Sequence, residues 1–395
     1  MENEIDETGI EYKIFAQTFF FLKLAGFWKP TTMKHRWLRS CYDAYTVFAF
    51  ISINLIAGGT FLEIILAEDD MLSHFLENWF ITAIITHTSY NGLNIAIKRR
   101  QIVNVLQKKF IAERWTNLRD AEEMRIIESS KDIEQKVLRY WMDLIAVNAV
   151  VNLLNPIITE NPDNDLIINS WIPYDRNVPS CFWMCYTQQV ISWTIATITN
   201  VSACTIILNF IERICSHIRI LQRRLTMLPE LVQTGVINTA KDELFYINEC
   251  ILDHQNIYAA VKDISEIFYA SMVMQFILIF SILCTNIYFL SSQPLFSSAF
   301  IAVALILCCM MSQFFLFCWW GYKLTQIGNE IGYTIFSMNW FELRKETRKR
   351  LRYIMLSASK NITLFDNFIV ELSPEMFLKL MKISYSTFNL LKTGS

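Results

Sequence analysis

Residues 264–320 read ISEIFYASMVMQFILIFSILCTNIYFL, then SSQPL, then FSSAFIAVALILCCMMSQFFLFCWW. The two apolar runs, 264–290 and 296–320, each exceed the roughly 20 residues that cross a ~30 Å hydrocarbon core as a helix. Only a few residues around Pro294 join them, so we expect an antiparallel pair of transmembrane helices. This hairpin predicts an all-α membrane protein, because helices satisfy their own backbone hydrogen bonds in lipid.

The composition of the whole chain agrees with this prediction. Of 395 residues, 53% are hydrophobic and only 18% are charged, whereas soluble domains carry about 25% charged residues. The formal net charge of −2, without a sustained basic domain, disfavours nucleic acid as a partner. The ten cysteines lie mostly in apolar runs and lack metal-ligand spacing, so we expect no disulfide framework, no metal and no cofactor.

Outward from the hairpin, five further runs have the length of a membrane span. Four are largely apolar, and the last carries several charges. Together with the hairpin they predict seven transmembrane helices, at 41–66, 75–97, 140–158, 181–211, 264–290, 296–320 and 364–393.

The basic residues predict how these helices are oriented. Four segments hold 31 of the 35 Lys and Arg residues, and they alternate with the neutral or acidic segments 67–77, 155–180 and 291–298. Cytoplasmic loops retain Lys and Arg, so the N-terminus is predicted inside and the C-terminus outside. Helical periodicity within the basic segments predicts that the fourth and fifth helices continue well below the membrane. The four basic segments are 1–39, 98–139, 212–263 and 321–360.

The last span begins with helix-start signals and carries a polar stripe. Ser373 offers a capping hydroxyl, and Pro374 suits the first helical position. The polar residues that follow are spaced 4, 3, 4, 3 and 4 apart, which places them on one face of a helix. Such a stripe either lines water in a pore shared between subunits, or packs inside its own bundle with Glu375 paired to Lys379. The stripe comprises Glu375, Lys379, Lys382, Ser386, Asn389 and Thr393.

Upstream, residues 330–360 combine aromatic and apolar residues in helical register with six Lys or Arg between Arg344 and Arg352. One interpretation is a juxtamembrane helix that obeys the positive-inside rule. The other is a cytoplasmic assembly helix that packs against neighbouring subunits. Its candidate interface residues are Tyr333, Phe336, Trp340, Leu343 and Leu351.

With these features the chain resembles the insect odorant receptor family. The resemblance lies mainly in the C-terminal third, in the Tyr333 to Trp340 spacing, the basic helix after it, the break at Ser373-Pro374 and the terminal run 384–388, SYSTF. A second similarity is the sequence WIPYD at 171–175, before the long fourth span. Related gustatory receptors share the seven helices but usually carry a Thr-Tyr…Gln-Phe signature in the last one.

The resemblance implies four subunits around a central pore lined by the last helix, with a cytoplasmic anchor below the membrane. The connection between the fourth and fifth spans lacks the large insertion of the family's shared coreceptor. The chain therefore resembles a ligand-selective subunit that assembles with that coreceptor in the plasma membrane of sensory dendrites, surrounded by membrane lipid. The pore narrowing would fall at Leu390, Leu391 and Thr393. The implied units are 1–40 (cytoplasmic), 41–320 (six spans and pocket), 321–363 (anchor) and 364–395 (pore helix and tail).

The resemblance also implies a site for a small volatile ligand in the outer half of the membrane, among helices two, three, four and six. Such a site should be an aromatic cavity with few polar groups. Each candidate has a structural alternative, such as an interhelix hydrogen bond for His87 or a helix clamp for Asn148 and Asn152. The candidates are Phe80, Ile84, His87, Asn148, Val151, Asn152, Tyr186, Gln189, Val190, Trp193, Phe300 and Ala304.

Other classes of membrane protein remain as alternatives: a gustatory-type receptor channel, or a seven-helix receptor that signals through a partner rather than a pore. A G-protein-coupled receptor would need the inverted orientation and usually has a charged triplet where this chain has Tyr140-Trp141-Met142. A transporter would often show inverted repeats, which the sequence lacks. An enzyme would need convergent catalytic groups, and no HExxH or GxSxG motif is present.

Overall fold

The computed structural model describes residues 15–30, 33, 35–66, 71–111, 118–158, 166, 168, 170–174, 178–292, 294, 298–365 and 372–394. Throughout these residues the secondary structure is helical, without a strand. A π-helix, Leu106–Ile111, follows α4, and a short 3-10 helix, Trp340–Glu342, precedes α9. The α-helices are α1 (Ala16–Leu24), α2 (Arg36–Leu66), α3 (Met71–Ile97), α4 (Arg99–Val105), α5 (Ala121–Ile158), α6 (Pro179–Gln233), α7 (Ala240–Ser292), α8 (Ser298–Ser337), α9 (Lys345–Ala358) and α10 (Pro374–Gly394).

The helices α2, α3, α5, α6, α7, α8 and α10 coincide with the seven predicted spans. Within the described residues, four stretches are long and apolar enough to cross a membrane by length and composition: Arg36–Leu66, Pro179–Gln233, Ala240–Ile287 and Val303–Ser337. The all-helical membrane fold is therefore confirmed. The membrane assignment of α3, α5 and α10, and the side on which each terminus lies, stay predictions.

The helices α6 and α7 extend far beyond a bilayer, as the sequence predicted. With 55 and 53 residues, each is about 80 Å long at 1.5 Å per residue, against a ~30 Å hydrocarbon core. Gly235 ends α6 with a φ of +73°, a conformation that costs glycine little, and the Ile237 N–H donates to Leu231 O at 2.9 Å. Thr239 then caps α7, because its hydroxyl accepts from the Asp242 N–H at 3.1 Å.

The largest hydrophobic core lies where the basic segments meet, and we call this part of the bundle the basic end. Phe210 and Leu221 of α6, Ile264 of α7, Ile331 of α8 and Leu351 of α9 are all buried there. The amphipathic inner segments of the sequence therefore pack on one another rather than forming solvated loops. This core fixes the positions from which the membrane helices rise.

Buried charges join the helices of the basic end. The Arg224 guanidinium of α6 donates to both Glu123 oxygens of α5 at 2.8 and 3.0 Å, and to Asp253 of α7 at 3.0 Å. We call these three residues the Arg224 clamp. A second pair joins Arg213 Nη2 to Glu134 Oε1 at 2.9 Å. Because these groups are almost completely buried, their hydrogen bonds determine how α5, α6 and α7 sit relative to one another.

The final helix begins where the local signals predicted. The Ser373 hydroxyl accepts from the Met376 N–H at 3.2 Å, and Pro374 is the first helical residue. The chain reaches this point by passing close to α8 at Gly321, where an added Cβ would lie 2.6 Å from Leu372 Cβ. The predicted span at 364–393 therefore contains a helix only from residue 374 onward among its described residues.

Candidate ligand cavity and pore helix

A cavity of about 100 Å³ lies between α3, α5, α6 and α8. These are the second, third, fourth and sixth predicted spans, the four helices among which the family resemblance placed a ligand site. The lining residues come from one face of each helix: Phe80, Ile81, Ile84, Ile85, Thr88, Trp141, Trp193, Ala196, Thr197, Asn200, Val201, Cys204, Ile306, Cys309, Met310 and Gln313.

The walls of this cavity are formed by helical periodicity. On α3, Phe80, Ile84 and Thr88 recur every four residues and therefore lie one above another. On α6, the lining face runs from Trp193 through Thr197 and continues inward past Asn200. Most of the surface is aliphatic or aromatic, which suits a small apolar molecule.

A polar cluster of three helices closes one side of the cavity. The Asn200 side-chain amide donates to Thr88 Oγ1 at 3.1 Å, and the Thr88 hydroxyl donates in turn to the Ile84 carbonyl at 2.8 Å. Gln313 Nε2 reaches Asn200 Oδ1 at 3.4 Å and also contacts the Cys204 sulfur. These groups largely satisfy one another, which is how polar side chains are accommodated inside a membrane bundle.

Three of the predicted ligand residues line the cavity, namely Phe80, Ile84 and Trp193. His87 does not. Its Nε2 lies 3.2 Å from the Ser271 carbonyl, and its ring contacts the Asn91 amide at 3.3–3.4 Å. His87 therefore joins α3 to α7, in keeping with the interhelix alternative that the sequence left open.

Gln189 holds the segment before α6 rather than lining the cavity. Its amide oxygen accepts from the Ile168 N–H at 3.2 Å, and its nitrogen donates to Ile168 O and to Ser170 Oγ, both at 3.0 Å. The Trp171 N–H donates to the Gly59 carbonyl of α2 at 3.0 Å. Ile168, Ser170 and Trp171 are thus held against the end of the bundle where α6 begins.

The remaining predicted ligand residues do not line the cavity, or their side chains fall outside the described part of the structure. Tyr186, Val190, Phe300 and Ala304 are partly buried on α6 and α8, two to seven residues before the nearest lining residue of the same helix. Tyr186 packs against the rings of Phe182 and Trp183. The backbone of Asn148, Val151 and Asn152 lies in α5, but their side chains are outside the described residues.

Sequence reasoning missed the deeper part of the lining: Thr88, Trp141, Asn200 and Gln313. A signal was present, since Thr88 continues the Phe80–Ile84 series and Asn200 and Gln313 are amides within otherwise apolar runs. Polar groups in a membrane helix are costly, and they face the bundle interior or a cavity. The cavity lies one to two turns farther along α6 and α8 than the predicted site.

The polar stripe of α10 faces away from its own bundle. Glu375, Lys379, Lys382, Ser386 and Asn389 are all exposed in the single chain. Of the other residues predicted for the pore, Leu390, Leu391 and Thr393 lie on the α10 backbone, and their side chains are outside the described part.

The opposite face of α10 packs on α7 and α8. Met376, Leu380 and Ser384 are buried, and at 3.6 residues per turn they lie roughly 150° around the helix from the stripe. The Phe377 ring lies 6.0 Å from Phe314 and 5.4 Å from Phe315, measured between centroids. The packing therefore fixes which face of α10 is left uncovered.

The residues predicted for a subunit interface fall into two groups. Tyr333, Phe336 and Trp340 are 72%, 69% and 41% exposed at the lower end of α8 and just beyond it. Leu343 and Leu351 are buried in the core of the basic end, so their side chains are already covered within this chain. In the part of the chain that the structure describes, no group of three or more His, Cys, Asp or Glu side chains is placed to hold a metal ion.

The model of the 7tm odorant receptor family matches residues 71–385, which cover most of the helices described above. The chain therefore belongs to the 7tm odorant receptor family. This membership confirms the family predicted from the sequence, and it places the chain among multi-pass receptors of the plasma membrane rather than among enzymes.

Individual relatives are distant. Odorant receptor 33a of Drosophila melanogaster is 22% identical over 231 residues, which are 57% of this chain and 59% of that protein. Odorant receptor Or2 of Anopheles gambiae is 26% identical over 37% of this chain and 38% of its own length. These two alignments thus span well under two thirds of the relatives. Odorant receptor 2a of Drosophila melanogaster is 20% identical over 88% of this chain and 90% of its length.

The fold is similar to that of solved insect olfactory receptor structures. The insect olfactory receptor OR5 from Machilis hrabei superposes with a TM-score of 0.82 at 12% identity, over 95% of this chain and 97% of that one. The same receptor in complex with eugenol gives a TM-score of 0.83 at 12% identity, over 96% and 97% of the chains. At this identity the comparison establishes the fold.

Proposed function

We propose that this chain is the odorant-binding, ligand-selective subunit of a ligand-gated cation channel that assembles as a tetramer with a shared coreceptor. A small volatile molecule binds in the cavity between α3, α5, α6 and α8. Binding widens an apolar narrowing near the outer end of α10, at Leu390, Leu391 and Thr393. This narrowing is the gate of the channel. An apolar constriction excludes water and ions until it widens, so widening lets water enter and ions pass.

The single observation that carries this proposal is the orientation of α10. Its packed face meets α7 and α8, while Glu375, Lys379 and Lys382 lie on the uncovered side. Charged side chains on a membrane helix are costly against lipid. A water-filled pathway shared with other subunits relieves that cost, and the exposed Tyr333 and Phe336 offer apolar surface for assembly below it.

The binding half of the proposal rests on the chemistry of the cavity. Its walls are mostly apolar and it is enclosed by four helices, which suits small, weakly polar ligands. The similar structure of OR5 from Machilis hrabei in complex with eugenol supports a small organic ligand for this chain as well.

The packing of α8 supports a connection between ligand and pore. Gln313 faces the cavity, and the next two residues, Phe314 and Phe315, contact Phe377 of α10. A ligand that shifts α8 at Gln313 therefore moves the ring pair on which the pore helix rests.

Cysteine accessibility tests the pore assignment. Ser386 is exposed on the stripe, whereas Ser384, two residues away, is completely buried. The chain is co-expressed with an insect odorant receptor coreceptor, and a charged, membrane-impermeant thiosulfonate is applied from outside during ligand-evoked current. We expect block in Ser386→Cys and none in Ser384→Cys or in wild type, which controls for the exposed Cys41 and Cys308. An unmodified current in Ser386→Cys, or no evoked current from a complex that reaches the surface, would count against the proposal.

A further inference from the structure

One polar group in the cavity wall differs from the rest. Trp141 of α5 lines the cavity and is 4% exposed, and its indole nitrogen has no hydrogen-bond partner among the described residues. An indole N–H only donates, so it needs an acceptor. A buried donor without one lowers stability, and such a group in a native structure calls for a physical reason.

The neighbouring polar groups do not supply that acceptor. None of them is in hydrogen-bond contact with the indole nitrogen. They bond one another instead: Gln313 Nε2 lies 3.4 Å from Asn200 Oδ1, and the Thr88 oxygen accepts from the Asn200 amide. A resident water is also poorly placed here, because a buried water needs two to four polar partners and most of the surrounding wall is apolar. The Trp141 N–H therefore needs one hydrogen-bond acceptor from a molecule that enters this mostly apolar cavity.

We propose that the Trp141 N–H selects ligands with a hydrogen-bond acceptor, so that this cavity favours small ketones, aldehydes, esters or ethers over hydrocarbons of the same shape. This inference rests on the proposed function, and it adds the chemical class of the ligand and a specificity-determining residue.

The size of the cavity agrees with a small ligand that spreads the wall as it binds. A cavity of about 150 Å³ accommodates benzene, whereas this one measures about 100 Å³. Most volatile ligands must therefore displace lining side chains. The indole nitrogen is covered by its neighbours, and displacement of the wall at Trp141 brings the acceptor of a ligand within reach of it.

Matched ligand pairs test this selection. Acetophenone and 2-phenylpropene differ only by an oxygen in place of a methylene group, as do 2-heptanone and 2-methyl-1-heptene. Both pairs are applied to the complex of this chain with a coreceptor, and the concentration for half-maximal current is recorded for each compound. We expect the wild type to prefer the ketone of an active pair by about fivefold, the factor that one neutral hydrogen bond supplies.

Two substitutions separate the hydrogen bond from the shape of the pocket. Trp141→Phe keeps an aromatic ring but removes the donor, and it should abolish the ketone preference. Trp193→Phe makes the same change at a partly buried tryptophan of the same cavity, and it should shift both members of a pair together. Surface biotinylation reports delivery of each variant.

The outcomes are distinct. A wild-type receptor that responds equally to ketone and alkene overturns the inference, even if Trp141→Phe fails to reach the surface. So does a Trp141→Phe receptor that retains the ketone preference. Currents evoked by the alkenes in either case leave the proposed function intact. A complex that reaches the surface and responds neither to these compounds nor to a broad panel of odorants overturns the proposed function, and the inference falls with it.

Discussion

Substitution in the Arg224 clamp tests how much its buried ion pairs contribute to the stability of the basic end. Glu123 accepts two hydrogen bonds from the Arg224 guanidinium and a third from the Arg119 N–H at 2.9 Å. The substitution Glu123→Gln keeps the size of the side chain and removes its charge. Arg224, whose cation is almost fully buried, then loses one carboxylate partner and keeps its pair with Asp253.

The expected loss of stability follows from this burial. Removing one partner of a buried ion pair typically costs about 3–5 kcal/mol, because the remaining charge is left partly uncompensated. The adjacent Glu122 provides a matched control, since it pairs with Arg125 at 3.2 Å in solvent. An exposed pair of this kind contributes at most about 1 kcal/mol.

Unfolding of the detergent-solubilised protein, followed by size-exclusion fluorescence after heating, compares Glu123→Gln with Glu122→Gln. We expect a clear fall in the midpoint temperature for Glu123→Gln and little or no change for Glu122→Gln. Equal shifts for the two variants would refute the conclusion that the buried clamp determines the packing of α5, α6 and α7.

Two further predictions each concern one buried side chain, His217 and Gln189. Burial, with Arg213 and Arg224 nearby, lowers the pKa of His217 well below its ordinary value of 6.5. The stability linked to this neutral histidine is therefore complete above pH 6.5 and is lost as the pH falls below that value, by about 1 kcal/mol per pH unit. Unfolding at pH 7.5 and 5.5 should show a smaller loss of stability in His217→Gln than in wild type, and an unchanged loss contradicts the assignment. Gln189→Leu should raise the rate of amide hydrogen exchange at residue 168 about tenfold or more, because it leaves buried backbone groups unpaired. Gln188→Leu is the control and should leave that rate unchanged. Equal exchange rates in the two variants would contradict the role of Gln189.

Helix positions were predictable because their determinants are local. An apolar run either matches the thickness of the bilayer or does not, and the sequence predicted helices over 41–66 and 264–290 where α2 and α7 are found. The start of α10 at Pro374 was equally predictable from the sequence, because Ser373 caps the helix within its own first turn. The polar stripe of α10 followed from the period of the helix alone.

The depth of the ligand cavity was not predictable in this way. Trp193 and Gln189 were both predicted as ligand residues on α6, but Trp193 lines the cavity whereas Gln189 binds Ile168 and Ser170. The chain preceding α6 thus uses the outer part of that helix. Segments that are distant in the chain compete for the same face of a helix. The periodicity of that helix shows which face is buried, but not which segment covers it.

The amino-acid sequence by itself therefore determined the class of the fold and the family, and it predicted the number of spans and their orientation. Each depends on composition or spacing along the chain, measured against a bilayer of known thickness. Only the tertiary structure decided which side of α10 is covered, where Leu343 and Leu351 are buried, and that Trp141 borders the cavity with an N–H that has no partner among the described residues. These depend on which surfaces meet in space, and packing between residues far apart in the chain determines that.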